Sequence, residues 1–293
     1  MGNENDSIAS GVRSLNSEAM KIPEKKQALA CAVAAARAAG KVMSANLHLS
    51  KKINEATQHD IKLELDVRCQ KLIERILRRA FPRIPILGEE GIVGDPEAPV
   101  RWVVDPIDGT VNFSYGIPHA CVSIALQERV AGSGFRASRT RASAGSSFQS
   151  VVGVVFDPFT DELWTAIRGG LARLNGRGIH VSRRTKLNEA IVALGFAKEQ
   201  LTLNRMLPTF NALIHRVRKV RIMGSAALSL VYVASGRMDA YVEYGLRLWD
   251  IAAGGLIIEC AGGDFWHEPV KGDYAYRILA SNGKLRRKLM RDA

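Results

Sequence analysis

The chain has 293 residues, 47% hydrophobic and 24% charged, so it can bury one large core or two that share a cleft. That composition excludes a disordered, collagen-like or disulfide-stapled chain. The four cysteines, Cys31, Cys69, Cys121 and Cys260, form no CxxC from which a zinc cluster or a thioredoxin motif could be built, and 41 Lys and Arg against 29 Asp and Glu give a net charge of +12, which favours anionic ligands or partners.

Residues 1–22 are small and polar with no apolar period and read as a flexible arm. They hold neither the basic nor the apolar region of a secretion signal, and Asp6 stands where a myristoylation signal wants Ser or Thr. No apolar stretch reaches the ~18 residues needed to span a bilayer. With thiols that suit a reducing compartment, the expectation is a cytoplasmic protein without membrane association. From Pro23 the segment EKKQALACAVAAARAAGKVMSANL, rich in Ala, Leu and Lys at helical spacing, predicts a helix. A second is predicted over 66–80, where Val67, Leu72, Ile73, Ile76 and Leu77 make one stripe and Pro82 and Pro85 end it.

Strand-length apolar runs follow at 86–87, 102–104, 121–126 and 151–156. Between Leu126 and Val151 the chain is poor in apolar residues and dense in Gly, Ser, Ala and Arg. This predicts a loop or hairpin tip and a boundary near 150, between an amino-terminal half (23–150) and a carboxy-terminal half (151–293). The second half alternates: helices are predicted at 204–216, 226–234 and 251–261, and a strand at 239–244. The basic runs at 136–141, 216–221 and 284–291 are not interleaved with aromatic residues that stack on bases, so a solvated surface is favoured over a nucleic-acid site.

Three acidic clusters stand where a strand or turn gives way to small residues. Glu89 and Glu90 follow the apolar Ile86 and Leu87. In WVVDPIDGT (102–110) an apolar strand delivers Asp105, Pro106 is expected to stop the ladder, and Asp105 and Asp108 can then converge on one point. Gly109 and Thr110 come next, and their backbone N–H groups suit a phosphate. Asp250, in LWDIAAGG, stands at a helix start followed by residues small enough for close packing. Acids so arranged repel one another and a phosphate. Hard divalent cations remove the conflict, because Mg2+ takes carboxylate, carbonyl and water oxygens and bridges them to phosphate. Two such ions roughly 3.5–4 Å apart can both activate a water and neutralise a leaving oxygen.

These segments resemble the signatures of the inositol monophosphatase-like family of Mg2+-dependent phosphatases: GEE at 88–90, WVVDPIDGTVNFSYGIP at 102–118 and WDIAAGGLIIECAGG at 249–263. The resemblance runs from Lys25 to the C-terminus. It implies an α+β fold, a layered α-β-α-β-α sandwich, and hydrolysis of a phosphate monoester by direct attack of water. It also implies that Glu89, Asp105 and the carbonyl of Ile107 hold one metal, that Asp105, Asp108 and Asp250 hold a second, and that Thr110 with Asp66 orients the water. Gly224, Ser225 and Ala226 would touch the substrate, Glu243 would accept a hydrogen bond from a sugar or inositol hydroxyl, and Arg247 would pair with Glu243 or meet a second anionic group.

The sequence departs from the pattern in three places. Leu63 stands where Thr is common, Glu55 replaces a lysine, and the loop after Leu126 is long. His119 and His267 have no acid or nucleophile at a telling distance and are expected to be structural; Cys121 and Cys260 are expected in the core. The implied substrate is an inositol or sugar monophosphate, from a family range that includes fructose bisphosphate, histidinol phosphate, nucleotide 3′-phosphates and NADP. The implied partners are that small metabolite and a second copy of the chain in a homodimer. The rival reading is a nucleic-acid or transcription-complex binding protein.

Overall fold

The computed structural model describes residues 21–49, 53–56, 61–130, 147–196 and 200–289. The expected arm up to residue 20 and the 131–146 part of the Gly/Ser/Arg-rich stretch lie outside them. The first elements are α1 (Ile22–Asn46), the antiparallel pair β1 (Ile53–Ala56) and β2 (Ile61–Leu63), and α2 (Glu64–Ala80). Next come β3 (Ile86–Gly88), β4 (Gly91–Val93), β5 (Val100–Asp108), α3 (Thr110–Ser114), β6 (Cys121–Val130), β7 (Ser147–Asp157), β8 (Glu162–Ile167), β9 (Arg173–Leu174) and β10 (Arg177–Gly178). The chain continues through β11 (Ile191–Leu194), α4 (Gln200–Ile214), β12 (Lys219–Arg221), α5 (Ala226–Ala234), β13 (Ala240–Arg247), α6 (Leu248–Cys260), β14 (Asp264–Pro269), β15 (Ala275–Ser281) and α7 (Arg286–Leu289).

Two large sheets result. The eight-stranded one has the order β10-β9-β8-β7-β6-β5-β3-β4 and the five-stranded one β12-β11-β13-β15-β14. Helices α1 and α2 cover the outer face of the first sheet, α5 and α6 fill the space between the sheets, and α4 and α7 pack on the far side of the second. The expected five-layer α-β-α-β-α sandwich is therefore what the chain builds. Strand β7 runs through residue 150 and pairs with β6, so the larger sheet draws strands from both sides of that position.

Strand alternation explains the layering. On β5, Trp102 and Val104 point into the core under α1 and α2, while Val103 points into the core under α6. On α1, Ala28, Ala32, Ala35, Ala36, Ala39 and Met43 are fully buried, a small-residue stripe that lets the helix lie close to β6 and β7. Those alanines also correct one expectation: α1 is long and apolar enough to cross a membrane, with a mean hydropathy of 1.3 over its most apolar window. Here its apolar face is packed against the sheet. Helix α6 is wedged in the central layer by its glycines, since a Cβ on Gly254 would come within 2.7 Å of Leu230 and one on Gly255 within 2.5 Å of Phe265.

Candidate active site

Strand β5 delivers the first acids. It pairs with β6 in regular register up to Asp105 opposite Ser123, then shifts before Asp108 pairs with Cys121. Pro106 does not end the strand as expected. It sits inside this irregularity, where the ladder needs no N–H from it. Asp105 Oδ1 accepts the N–H of Ile107 at 3.0 Å, which fixes the buried carboxylate against the bulge. Gly109 then reverses the chain with φ 95°, and a Cβ there would meet the carbonyl oxygens of His119 at 3.0 Å and Gly224 at 3.2 Å. Thr110 opens α3, and its hydroxyl donates to the carbonyl of Ile107 at 2.9 Å.

Asp108 is held from a distant part of the chain. Ser225, the residue before α5, donates its hydroxyl to Asp108 Oδ2, the N–H of Ala227 donates to the same oxygen at 2.7 Å, and the N–H of Ala226 reaches Oδ1 at 3.2 Å. The first amides of α5 are thus engaged by a carboxylate, as a helix N-terminus favours. Asn112 ties the same regions together, since its amide donates to the carbonyls of His119 and Met223, each at 2.9 Å. Asp250 stands in the first turn of α6, where its Oδ2 accepts the N–H of Arg247 at 2.7 Å.

Asp105, Asp108 and Asp250 present oxygens that lie within 4.8 Å of one another. Burial is the main force raising all three above the ordinary carboxylate range, and neighbouring acids push Asp105 and Asp250 further. Glu89, at the end of β3, is pushed up to about 8 by burial first and then by the charges of Asp66 and Glu90; a hydrogen bond with Asp105 opposes the shift. An all-oxygen donor set of this kind, with Asp105 and Asp108 buried and Glu89 and Asp250 partly buried, fits a hard divalent cation, whose charge offsets the repulsion between the acids.

One cleft of about 780 Å³ gathers nearly every predicted residue: Glu89, Asp105, Ile107, Asp108, Gly109, Thr110, Gly224, Ser225, Ala226, Glu243, Arg247 and Asp250 all line it. Asp66 does not. It is buried at the start of α2, where its Oδ2 accepts the N–H of Leu63 at 2.7 Å. Arg247 Nη1 donates to the carbonyl of Asp273 at 2.6 Å. Glu243 is buried and accepts the phenol of Tyr241.

Sequence reasoning missed Tyr241, although it lies two residues before Glu243 on β13 and so shares its face. It also missed Gly195 and Lys271, which line the same cleft. The two histidines sit among aromatic rings, and the cysteines differ in burial. His119 packs edge-on to Tyr232, and His267 packs against Phe265 and Tyr276. All four cysteines are free; Cys121 is fully buried, with its thiol 3.7 Å from Asp108 Oδ2, whereas Cys260 is only partly buried.

A layered sandwich with convergent acids in a cleft beside its central helices defines a class, and comparison with known sequences identifies it. The chain belongs to the inositol monophosphatase family, whose profile matches residues 24–133 and 147–291. It is 37% identical over 273 residues to the Nus factor SuhB of Xylella fastidiosa, covering 89% of this chain and 92% of that one. It is 35% identical over 270 residues to inositol monophosphatase 1 of Solanum lycopersicum, covering 88% and 91%. The crystal structure of the extragenic suppressor protein SuhB from Bartonella henselae superposes with a TM-score of 0.79 at 32% identity, covering 91% of this chain and 98% of that one.

Proposed function

We propose that this cleft hydrolyses phosphate monoesters of small polyols in a Mg2+-dependent reaction, with inositol monophosphate as the substrate it fits best. The observation that carries this reading is the convergence of Asp105, Asp108 and Asp250 within 4.8 Å, in a cleft that also holds Glu243. Bound by these acids, Glu89 and the Ile107 carbonyl, Mg2+ would neutralise the phosphate and lower the pKa of an attacking water.

The chain's own groups supply the rest. The amides of Gly109 and Thr110, where β5 gives way to α3, are assigned to the phosphate oxygens. The Thr110 hydroxyl donates to Ile107, so its proton is engaged and its lone pairs are directed to accepting a hydrogen bond from the attacking water. Asp66, outside the cleft lining at the start of α2, is assigned to the same water on the family resemblance, and its charge reaches Glu89. Glu243 accepts a hydroxyl of the polyol, with Tyr241 holding one of its oxygens. Arg247 and Lys271, both on the cleft wall, supply positive charge for a further anionic group.

The test is phosphate release from a panel of phosphorylated metabolites, with Mg2+ and with chelator. Inositol monophosphate should be turned over with Mg2+ and not without. Turnover that survives exhaustive chelation, or no release from any member of the panel, overturns the reading.

A further inference from the structure

The outer face of α2 carries Arg68, Lys71, Arg75, Arg78 and Arg79, all exposed. At 100° per residue they fall within an arc of about 100°, on the side opposite the buried Cys69, Gln70, Ile73 and Leu77. Lys71, Arg75, Arg78 and Arg79 line a shallow groove of about 400 Å³ with Glu74 and Pro82. Among the described residues no carboxylate pairs with any of the five cations. Glu74, the one acid in the groove, accepts the amide of Gln70 at 2.9 Å. Like charges held this closely along a helix repel one another, and an external anion relieves that repulsion.

We propose that this face of α2 binds the sugar-phosphate backbone of a duplex nucleic acid, independently of base sequence. Four of the five cations are arginines, whose planar forks suit phosphate oxygens. They extend over about 16 Å of helix, and duplex nucleic acid offers one phosphate charge about every 1.7 Å along its axis. No aromatic side chain lies among the five, which disfavours stacking on the bases of a single strand. A lipid surface fits less well, because none of the large exposed apolar residues lies on α2, and interfacial helices insert such residues beside their cations. The face is separate from the acidic cleft, since none of the five cations lines that cleft and Asp66 stands on the opposite, buried side of α2.

The test is fluorescence anisotropy of a short labelled duplex with the full chain, across a salt titration. Five phosphate contacts predict a slope of log affinity against log salt of about −4.5, so affinity should fall roughly 500-fold between about 50 and 200 mM salt. The double variant R75E/R78E should cut the slope to about −2.7 or less, with phosphatase activity and melting temperature unchanged. R75Q/R78Q tests the same contacts without reversing charge, should R75E/R78E fail to fold. Unaltered duplex affinity and slope in the Gln variant would overturn the proposal. So would loss of binding in R218E/K219E but not in R75Q/R78Q, which would place the contact at the β12 edge. Retention by anionic phosphatidylglycerol vesicles without duplex binding would also overturn it.

Discussion

Gly195→Ala is the sharpest test of how the cleft recognises its substrate. A Cβ at this position would run into the Glu243 carboxylate. Ordinary contact is near ~3.5 Å, so the carboxylate must move away from its present place. Its bond from Tyr241 and any contact it makes with a substrate hydroxyl would then be lost. A hydrogen bond to a charged group is worth about 1.5–3 kcal/mol. At about 1.4 kcal/mol per decade, kcat/KM for inositol 1-phosphate should fall about ten- to a hundredfold. Gly195 is not among the residues with positive φ, so alanine brings no backbone strain and the fold should persist. The assay compares kcat/KM for inositol 1-phosphate with that for p-nitrophenyl phosphate, which has no hydroxyl to offer Glu243 and should hardly change. Glu243→Gln, which removes the charge and keeps the shape, should change the same ratio in the same direction. An unchanged ratio in both variants would show that Glu243 does not read the substrate; equal losses on both substrates would place it in the catalytic or structural framework.

The acidic cluster gives further expectations. Asp105→Asn should cost more activity than Glu90→Gln, because Asp105 lines the cleft and Glu90 does not; equal losses in folded protein would contradict the ligand assignment. Ser225→Ala removes a donor to Asp108, and loss of such a supporting bond should weaken Mg2+ affinity about 10- to 100-fold, measured by activity against metal concentration. The chelated protein should lose stability as pH rises. Carboxyls whose folded pKa lies above the unfolded one bind more protons folded than unfolded, so the stability they add is present at low pH and is lost between the usual 4.5 and about 8 for Glu89. Thermal melts at pH 5 and pH 8 check this, and Mg2+ should raise the melting temperature more at pH 8; the opposite order would refute it. Replacing residues 132–146 by a tight turn should leave kcat near wild type, since β6 and β7 are already paired at Val130 and Ser147; a large fall in kcat in folded protein would refute this.

Elements whose signal is local were legible in the sequence. The alanine stripe of α1 and the apolar stripe of α2 have helical period, and each helix lies within a few residues of its expected place. Strands β8 and β14 were not legible, for a physical reason. In β8 only Trp164 and Ala166 are buried, so six residues carry one large apolar side chain on the core face. In β14 the residues are half-buried or exposed, because it is the edge strand next to β15, and an edge needs little apolar pattern. Pro106 misled for the opposite reason: its effect on a regular ladder is real, but a bulge removes the need for its missing N–H.

The site divides along the same line. Asp105, Ile107, Asp108, Gly109 and Thr110 were legible because one strand end and one turn carry them together, and only the cleft's second wall had to come from elsewhere. What holds them was not legible. The clamp on Asp108 comes from Ser225, Ala226 and Ala227, some 117 to 119 residues along the chain. Ser225 and Ala226, expected to touch the substrate, line the cleft, and their hydroxyl and N–H are directed to a carboxylate that burial would otherwise disfavour in its charged form. The central layer therefore does more than fill space between two sheets: α5 brings its N-terminus to Asp108 and α6 brings Asp250 in its first turn. An acidic cluster assembled from a strand bulge and a helix start holds its geometry because the two helices share one layer, where Gly254 of α6 lets Leu230 of α5 come close.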